Sequence, residues 1–274
     1  MATPTLDQRL AERTRPHGEP VMRQSWGHLL FLHWAWDPVE IQRTLPPGLR
    51  VDVHDGRAWI GVVPFFMQRV RPRGLPAVPF FSDFLELNVR TYVHDAEGRP
   101  GVWFYSLDCN RWLAVKVART LFHLPYEHAA MSATIDPATG EVDFRATRRA
   151  GPVESATRFV YRGPPAHERH EAQPGSLEFF LVERYRLFAW DAPQGRLLTG
   201  RVHHAPYQIG AAVVPVWDDT MLDLAGLKGA GGAPDHVVSS NAADVAVWPL
   251  EPVAAGQAVN RGAGEALGPA VVPA

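Results

Sequence analysis

Apolar runs of strand length recur along this chain, separated by short polar segments rich in glycine and proline. The segment 86–93 alternates strictly between apolar and polar positions, which is typical of a strand whose two faces meet different surroundings. Strands are expected at 28–36, 57–67, 86–93, 102–107, 129–135, 142–149, 185–189, 197–204 and 244–248. Because no regular alternation of helix and strand is visible, a parallel α/β sheet is not expected.

Helical signals are few and short. Asp37 can cap a helix that has Pro38 at its first position and ends before Pro46-Pro47. A second helix is predicted over 111–123, and a third one begins after Ser176. Many strands with few helices predict an α+β fold, β-rich, with a strongly curved antiparallel sheet or barrel.

The predicted helix 111–123 is amphipathic. Leu113, Val117 and Leu121 follow helical spacing, so this face is predicted to point inward. Lys116 falls on the opposite, solvated face, where a lysine keeps its ordinary surface role.

Composition divides the chain into three parts. Residues 1–22 are polar and poor in large apolar side chains, which predicts a flexible N-terminal arm. Residues 23–251 carry the strands and helices and are expected to form a single domain. Residues 252–274 contain mainly Ala, Gly, Pro and Val without periodicity, so a disordered tail is predicted.

Charge and cysteine content exclude several classes of function. The formal net charge of −2 and the pI of about 6.6 do not favour binding to nucleic acid or to an anionic membrane. Neither a signal peptide nor an apolar run long enough to span a bilayer is recognisable, so a cytoplasmic location is expected. Cys109 is the single cysteine, which excludes an internal disulfide and a cysteine-based zinc site. No cofactor is predicted, and the composition leaves a homo-oligomer open.

The polar face of the strand 86–93 is the most informative feature. Its side chains are those of Glu86, Asn88, Arg90 and Tyr92, opposite an apolar face. In a half-exposed sheet this row would face water. In a closed sheet it would line a cavity, where Arg90 can bind a carboxylate and Glu86 can have a raised pKa. An internal ion pair between Glu86 and Arg90 is the third alternative.

Histidines in the strands are weaker candidates. His33 lies in the first long strand, and His204 follows the strand 197–204 at its end. Both are candidate substrate-binding residues, although a strand histidine is usually satisfied by one backbone hydrogen bond. Converging imidazoles would suggest a metal site or a proton shuttle, but for isolated strand histidines no metal site is predicted.

Four long motifs stand out along the chain. They are Leu30-Phe-Leu-His-Trp34 with Leu45-Pro-Pro-Gly-Leu49, Asp55-Gly-Arg-Ala-Trp-Ile-Gly-Val-Val-Pro-Phe65, Glu86-Leu-Asn-Val-Arg-Thr-Tyr-Val93 with Gly101-Val-Trp-Phe-Tyr-Ser-Leu-Asp108, and Ser176-Leu-Glu-Phe-Phe-Leu-Val-Glu-Arg-Tyr-Arg-Leu-Phe188 with His203-His-Ala-Pro-Tyr207. Together these motifs resemble the YqjF-like family of uncharacterised proteins, and the resemblance covers about residues 23–250.

The YqjF-like family is distantly similar to acetoacetate decarboxylase, and the similarity implies a barrel-like α+β fold around a small-molecule cavity. In that enzyme a lysine forms a Schiff base with the keto acid, beside a second lysine that lowers its pKa. Tyr126 and Glu127 stand at the two lysine positions here, and neither can form an imine. A Schiff-base decarboxylase is therefore not expected. The resemblance does carry over a glutamate on a central strand, at Glu86.

Two functions remain open from the sequence. The first is an enzyme, lyase-like or another acid/base type, that acts on a small carbonyl or carboxylate compound without a covalent imine. Its candidate catalytic residues are Glu86, Tyr126 and Glu127. The second is a non-catalytic binding or sensing protein that uses the same cavity.

Overall fold

A single extensive sheet dominates the computed structural model, which describes residues 3–78, 82–149, 156–228 and 232–253. The predicted disordered tail falls outside the described residues from position 254 onward. The strands are β1 (Met22–Trp36), β2 (Arg50–Val51), β3 (Ala58–Pro72), β4 (Phe84–His94), β5 (Pro100–Cys109), β6 (Tyr126–Ile135), β7 (Val142–Arg148), β8 (Ala156–Arg162), β9 (His170–Glu171), β10 (Arg186–Asp191), β11 (Arg196–His203), β12 (Gln208–Ala211), β13 (Val213–Val216), β14 (His236–Val247) and β15 (Glu251–Pro252).

The helices are short and lie between the strands. Two 3₁₀ turns, Ala166–Glu168 and Ala192–Gln194, add to them. The α-helices are α1 (Leu6–Ala11), α2 (Pro38–Thr44), α3 (Trp112–Phe122), α4 (Leu177–Val182) and α5 (Thr220–Leu224). None of the helices in the described ranges has the length and apolar character that a membrane crossing requires.

The strand pairings explain how the sheet encloses space. Strands pair in the order β5, β10, β11, β14, β1, β3 and β4, and β4 then pairs with β5, so the run closes on itself. Strands β6, β7, β8 and β13 continue outward from β5. The β-rich, strongly curved fold is confirmed, but the sheet is mixed, because β5 runs parallel to both β6 and β10.

Two apolar cores lie on opposite faces of the central strands β1, β3 and β4. Leu87 and Val89 belong to the core that packs against β7, β8 and α5. Phe31 and Val63 belong to the core that packs against α4. The period of two along a strand separates these sets, so both faces of the central strands are buried.

Helix α2 forms where the capping signals predict it. The Asp37 side chain accepts a hydrogen bond from the Val39 amide at 2.7 Å, and Pro38 occupies the first turn. Helix α2 ends at Thr44, before the prolines that cannot continue it.

The predicted flexible arm is wrong for the segment Thr5–Glu12. Thr5 and Gln8 form a capping box that starts α1, and Glu12 is buried. The Arg186 guanidinium donates to Glu12 at 2.9 Å, and Arg9 contacts Asp52 at 2.6 Å. Ion pairs dock this segment although it offers little apolar surface, which is why composition alone misses it.

The predicted inward face of α3 is partly exposed. Val115 is the buried residue of this helix, whereas Leu113, Val117 and Leu121 are 41%, 44% and 64% exposed. Helix α3 connects the parallel strands β5 and β6. No further layer of the described chain covers its apolar face, so these side chains keep contact with solvent. Lys116 is exposed, as expected.

Candidate functional site

A cavity of about 500 Å³ lies inside the closed run of strands. Its innermost walls include Phe31 and Val182, which are fully buried, while Leu75 and Leu113 at the other end are 61% and 41% exposed. Cavities of roughly 300–1,000 Å³ with mainly apolar walls and few polar groups are typical of small-molecule sites.

Strand β4 supplies polar groups to the cavity wall. Glu86, Asn88 and Arg90 all line the cavity, because alternate residues of a strand point to the same side. Leu87 and Val89 point to the opposite side and pack in the other core. All three polar side chains are at least nine-tenths buried.

Glu86 is a buried carboxyl without a cation partner among the described residues. Burial raises the pKa of Glu86 to about 8; the hydrogen bond from Tyr126 opposes this rise, and the nearby Asp108 charge adds to it. The Tyr126 hydroxyl donates to Glu86 Oε2 at 2.9 Å. Arg148 cannot neutralise Glu86, since both ends of its guanidinium fork bind Asp108, at 2.6 and 3.1 Å.

Arg90 is a buried cation with no ion pair to any carboxylate in the described ranges. One terminal nitrogen donates to the Leu181 carbonyl at 3.3 Å, while Nε has no partner there. Its guanidinium carbon lies 5.5 Å from the Phe31 ring centre and 5.7 Å from that of Tyr92. Gly61 leaves room for this arrangement, because a Cβ there would lie 3.4 Å from Arg90 Cγ.

The alternative of an internal ion pair between Glu86 and Arg90 is wrong. Four residues along a strand span about 13 Å, so the two side chains occupy different parts of the cavity. No contact within 4 Å joins their charged groups in the part of the chain that the structure describes.

Two further arginines, which the sequence did not single out, line the cavity. Arg184 contacts Asp52 at 2.9 Å, and Arg186 contacts Glu12 at 2.9 Å, so each is neutralised by a protein carboxylate. Burial lowers the pKa of Arg184 to about 10, and the Asp52 charge opposes that effect. The alternation Arg184-Tyr185-Arg186 is the signal that could have identified this second polar stripe.

The side chains of Tyr126 and Glu127 point to opposite sides at the start of β6. Tyr126 lines the cavity and contacts Glu86, whereas Glu127 lies outside the cavity wall and pairs with Arg119 at 2.7 Å. The expectation that Glu127 faces the cavity is therefore wrong. Adjacent strand residues point to opposite sides, so the two could not both face it.

His33 and Tyr92 lie behind the cavity wall and do not line it. His33 Nδ1 is 3.1 Å from His236 Nδ1, and burial lowers the pKa of His33 well below its ordinary value, with the neighbouring His236 and Arg90 charges adding to the effect. The Tyr92 ring packs against Phe180, with 5.3 Å between ring centres. The Tyr92 ring lies beside the Arg90 guanidinium, and neither His33 nor Tyr92 lines the cavity.

His204 also lies outside the cavity wall. Its ring packs between Tyr185 and Tyr207, with centre distances of 4.6 and 4.4 Å. Nδ1 donates to the Ala205 carbonyl at 2.8 Å, and burial lowers the pKa of His204 to about 4. Within the described ranges, no three His, Cys, Asp or Glu side chains are grouped to hold a metal ion.

Comparison with known proteins identifies relatives over most of the chain. The family model DUF2071, described as an uncharacterized conserved protein, matches residues 23–244. The uncharacterized protein YqjF of Bacillus subtilis (strain 168) is 36% identical over 236 residues, which cover 86% of this chain and 93% of that protein.

Solved structures show the same fold at low sequence identity. The enduracididine biosynthesis enzyme MppR complexed with pyruvate superposes with a TM-score of 0.59 at 15% identity, covering 86% of this chain and 91% of that one. An acetoacetate decarboxylase-like enzyme from Sphingomonas wittichii RW1 gives a TM-score of 0.57 at 15% identity, with 86% and 94% covered. Acetoacetate decarboxylase from Legionella pneumophila gives 0.54 at 12% identity, with 88% and 92% covered.

Proposed function

Because this chain belongs to the DUF2071 family and has an acetoacetate decarboxylase-like fold, we propose that its cavity binds a small carbonyl or carboxylate compound on which Glu86 acts as an acid or base. The observation that carries this proposal is a carboxyl with a pKa of about 8 on the wall of a cavity. A general acid or base works best when its pKa lies near the pH of its surroundings.

Tyr126 and Glu86 form the proposed reactive pair. Near neutral pH most Glu86 carboxyls hold a proton, and the deprotonated fraction can accept one from carbon next to a substrate carbonyl. The Tyr126 hydroxyl lies at hydrogen-bond distance from Glu86 Oε2 and can stabilise the carboxylate once it forms.

Arg90 is proposed to bind the negative charge of that compound. It is the cavity-lining arginine that has no carboxylate partner in the described part of the chain, and a buried unpaired guanidinium is costly. A carboxylate can accept two parallel hydrogen bonds from its fork. The Asn88 amide lies between Arg90 and Glu86 on the same strand face and can bind a second polar atom.

A covalent imine plays no part in the proposed reaction. Both lysines of the chain, Lys116 and Lys228, are exposed, and neither is among the residues that line the cavity. MppR has been solved complexed with pyruvate, which supports a keto acid as a ligand class for this fold, without implying the same chemistry here.

A non-catalytic binding or sensing protein is the second candidate. The mainly apolar lining favours it, since binding needs shape and a few hydrogen bonds, whereas catalysis needs a titratable group at the reacting atom. Both candidates use Arg90, and only the enzyme requires Glu86 to exchange a proton.

Deuterium exchange separates the two candidates. The parent protein is incubated with pyruvate, acetoacetate and longer 2-keto and 3-keto acids in D₂O, and exchange at carbon and loss of CO₂ are followed by NMR. We expect exchange whose rate rises with pH up to about 8, as the Glu86 carboxylate forms. Glu86→Gln should abolish it, while Glu127→Gln should retain it, because Glu127 lies outside the cavity. Binding without exchange would support the sensing protein, and absence of both would contradict the proposal.

A further inference from the structure

The dimensions of the cavity exceed what a short keto acid needs. A volume of about 500 Å³ falls in the range that holds drug-sized ligands, so a compound such as pyruvate would occupy a small part of it. The remaining space is bordered mainly by aliphatic and aromatic side chains. The ligand must therefore have an apolar part if it is to replace water throughout the cavity.

Along strand β4, the cavity wall changes from charged side chains at Arg90 and Glu86 to the apolar Phe84. Arg90 and Phe31 lie at the buried end, and Glu86 and Tyr126 come next towards the opening. Beyond Phe84, the opening is bordered by apolar side chains of α3 and of the segment 75–78. Side chains of this outer part include Val70, Pro72, Leu75, Leu113, Val117 and Phe122.

The exposed apolar side chains at the opening need an explanation of their own. Leu75, Leu113 and Val117 are 61%, 41% and 44% exposed and line the cavity, so their solvated surface is continuous with its interior. Large exposed apolar side chains that cluster at one opening are typical of a binding surface. An apolar tail that reaches the opening would cover them.

We propose that the ligand is an amphiphilic acid: its carboxylate binds Arg90 at the buried end, and its apolar chain or ring system passes Glu86 and fills the cavity to the opening at α3. This inference rests on the proposed function and specifies its substrate class. One guanidinium without a protein carboxylate balances one negative charge, which favours a carboxylate over a phosphate dianion.

Chain-length dependence of binding tests this inference. Butanoate, hexanoate, octanoate and decanoate are titrated into the full chain by calorimetry, with pyruvate and 1-octanol as references. Affinity should rise about fourfold for each added methylene until the cavity is full. Octanoate should bind at least tenfold more tightly than 1-octanol, and Arg90→Met should remove that difference. Arg90 forms no ion pair in the described ranges, so Arg90→Met leaves no buried carboxylate without its cation, and the variant should fold.

Two leucines of α3 provide a matched pair of variants that avoids the buried end. Leu113 lines the cavity, whereas Leu121 is exposed on the same helix and does not. Leu113→Ser should weaken octanoate binding about fivefold and leave pyruvate binding unchanged, and Leu121→Ser should change neither.

Failure of this inference is distinguishable from failure of the proposed function. Equal affinity across the acid series, or equal effects of the two leucine variants, would overturn the amphiphilic ligand. Exchange of pyruvate protons that depends on Glu86 would still support the proposed function in that case. If the acid series instead binds as expected and no keto acid undergoes exchange, the acid/base role fails and the ligand class stands.

Discussion

Replacing Glu86 by Gln retains the size of the side chain and removes its titration. In the native protein the pKa of Glu86 is about 8, against an ordinary value of 4.5. The native state therefore keeps a proton that the unfolded chain releases between these two pH values. The stability associated with protonated Glu86 is fully present below pH 4.5 and is lost as the pH rises to about 8.

The magnitude of this loss follows from the two pKa values. Each pH unit between them costs the native state about 1.4 kcal/mol, so the full loss approaches about 5 kcal/mol above pH 8. Glu86→Gln does not titrate and escapes this loss. Relative to the parent, the variant should gain about 4 kcal/mol of unfolding free energy between pH 5 and pH 9. Because domains are stable by only about 5–15 kcal/mol, this change is readily measured.

Urea unfolding at several pH values from 5 to 9 measures the difference between the parent and Glu86→Gln. Glu127→Gln is a matched control, since it removes the neighbouring carboxyl from a partly solvated ion pair with Arg119. The control should differ from the parent by less than about 1 kcal/mol throughout. If the curves of the parent and Glu86→Gln run parallel, Glu86 is ionised in an ordinary environment and the reasoning on its burial is refuted.

Three further predictions concern residues around the cavity. Tyr126→Phe removes the hydrogen bond that lowers the pKa of Glu86, so the pH profile of deuterium exchange should shift to higher pH; an unchanged profile would contradict the contact. Borohydride with pyruvate or acetoacetate should leave the protein mass unchanged, and an adduct mapped to Lys116 by mass spectrometry would contradict the absence of an imine. Glu12→Gln leaves buried Arg186 without its carboxylate, and urea unfolding should show a loss of about 3–5 kcal/mol; a loss below 1 kcal/mol would mean that the N-terminal segment docks weakly.

Local sequence patterns predict those features that depend on interactions between residues close together in the sequence. The Asp37 cap requires one side chain and one nearby amide, so capping signals locate α2 correctly. Strict alternation separates Glu86 and Arg90 from their apolar neighbours, so the shared face of β4 can be predicted. Whether such a face meets water or a cavity depends on closure of the sheet. Closure requires the pairings of β5 with β10 and of β11 with β14, which join strands distant in the sequence.

The remaining features depend on contacts that local periodicity does not encode. Periodicity shows that α3 has an apolar face but not what covers it, and Leu121 is exposed where a buried position is expected. Glu127 binds Arg119, which removes it from the cavity that the resemblance suggested. His33 contacts His236, which lies 203 positions away in the sequence, and no local sequence pattern reveals this contact.

Docking of the N-terminal segment has a consequence for synthesis on the ribosome. Glu12 and its partner Arg186 are 174 positions apart in the sequence. At a synthesis rate of about 5–20 residues per second, Arg186 is therefore added roughly 9–35 s after Glu12. During that time the strands between them can begin to pair while Glu12 stays hydrated. Arg186 belongs to the cavity wall, so the wall takes its final form only when this early segment closes onto the late strands. A long-range contact of this kind slows folding, and it couples the completion of the binding site to the completion of the fold.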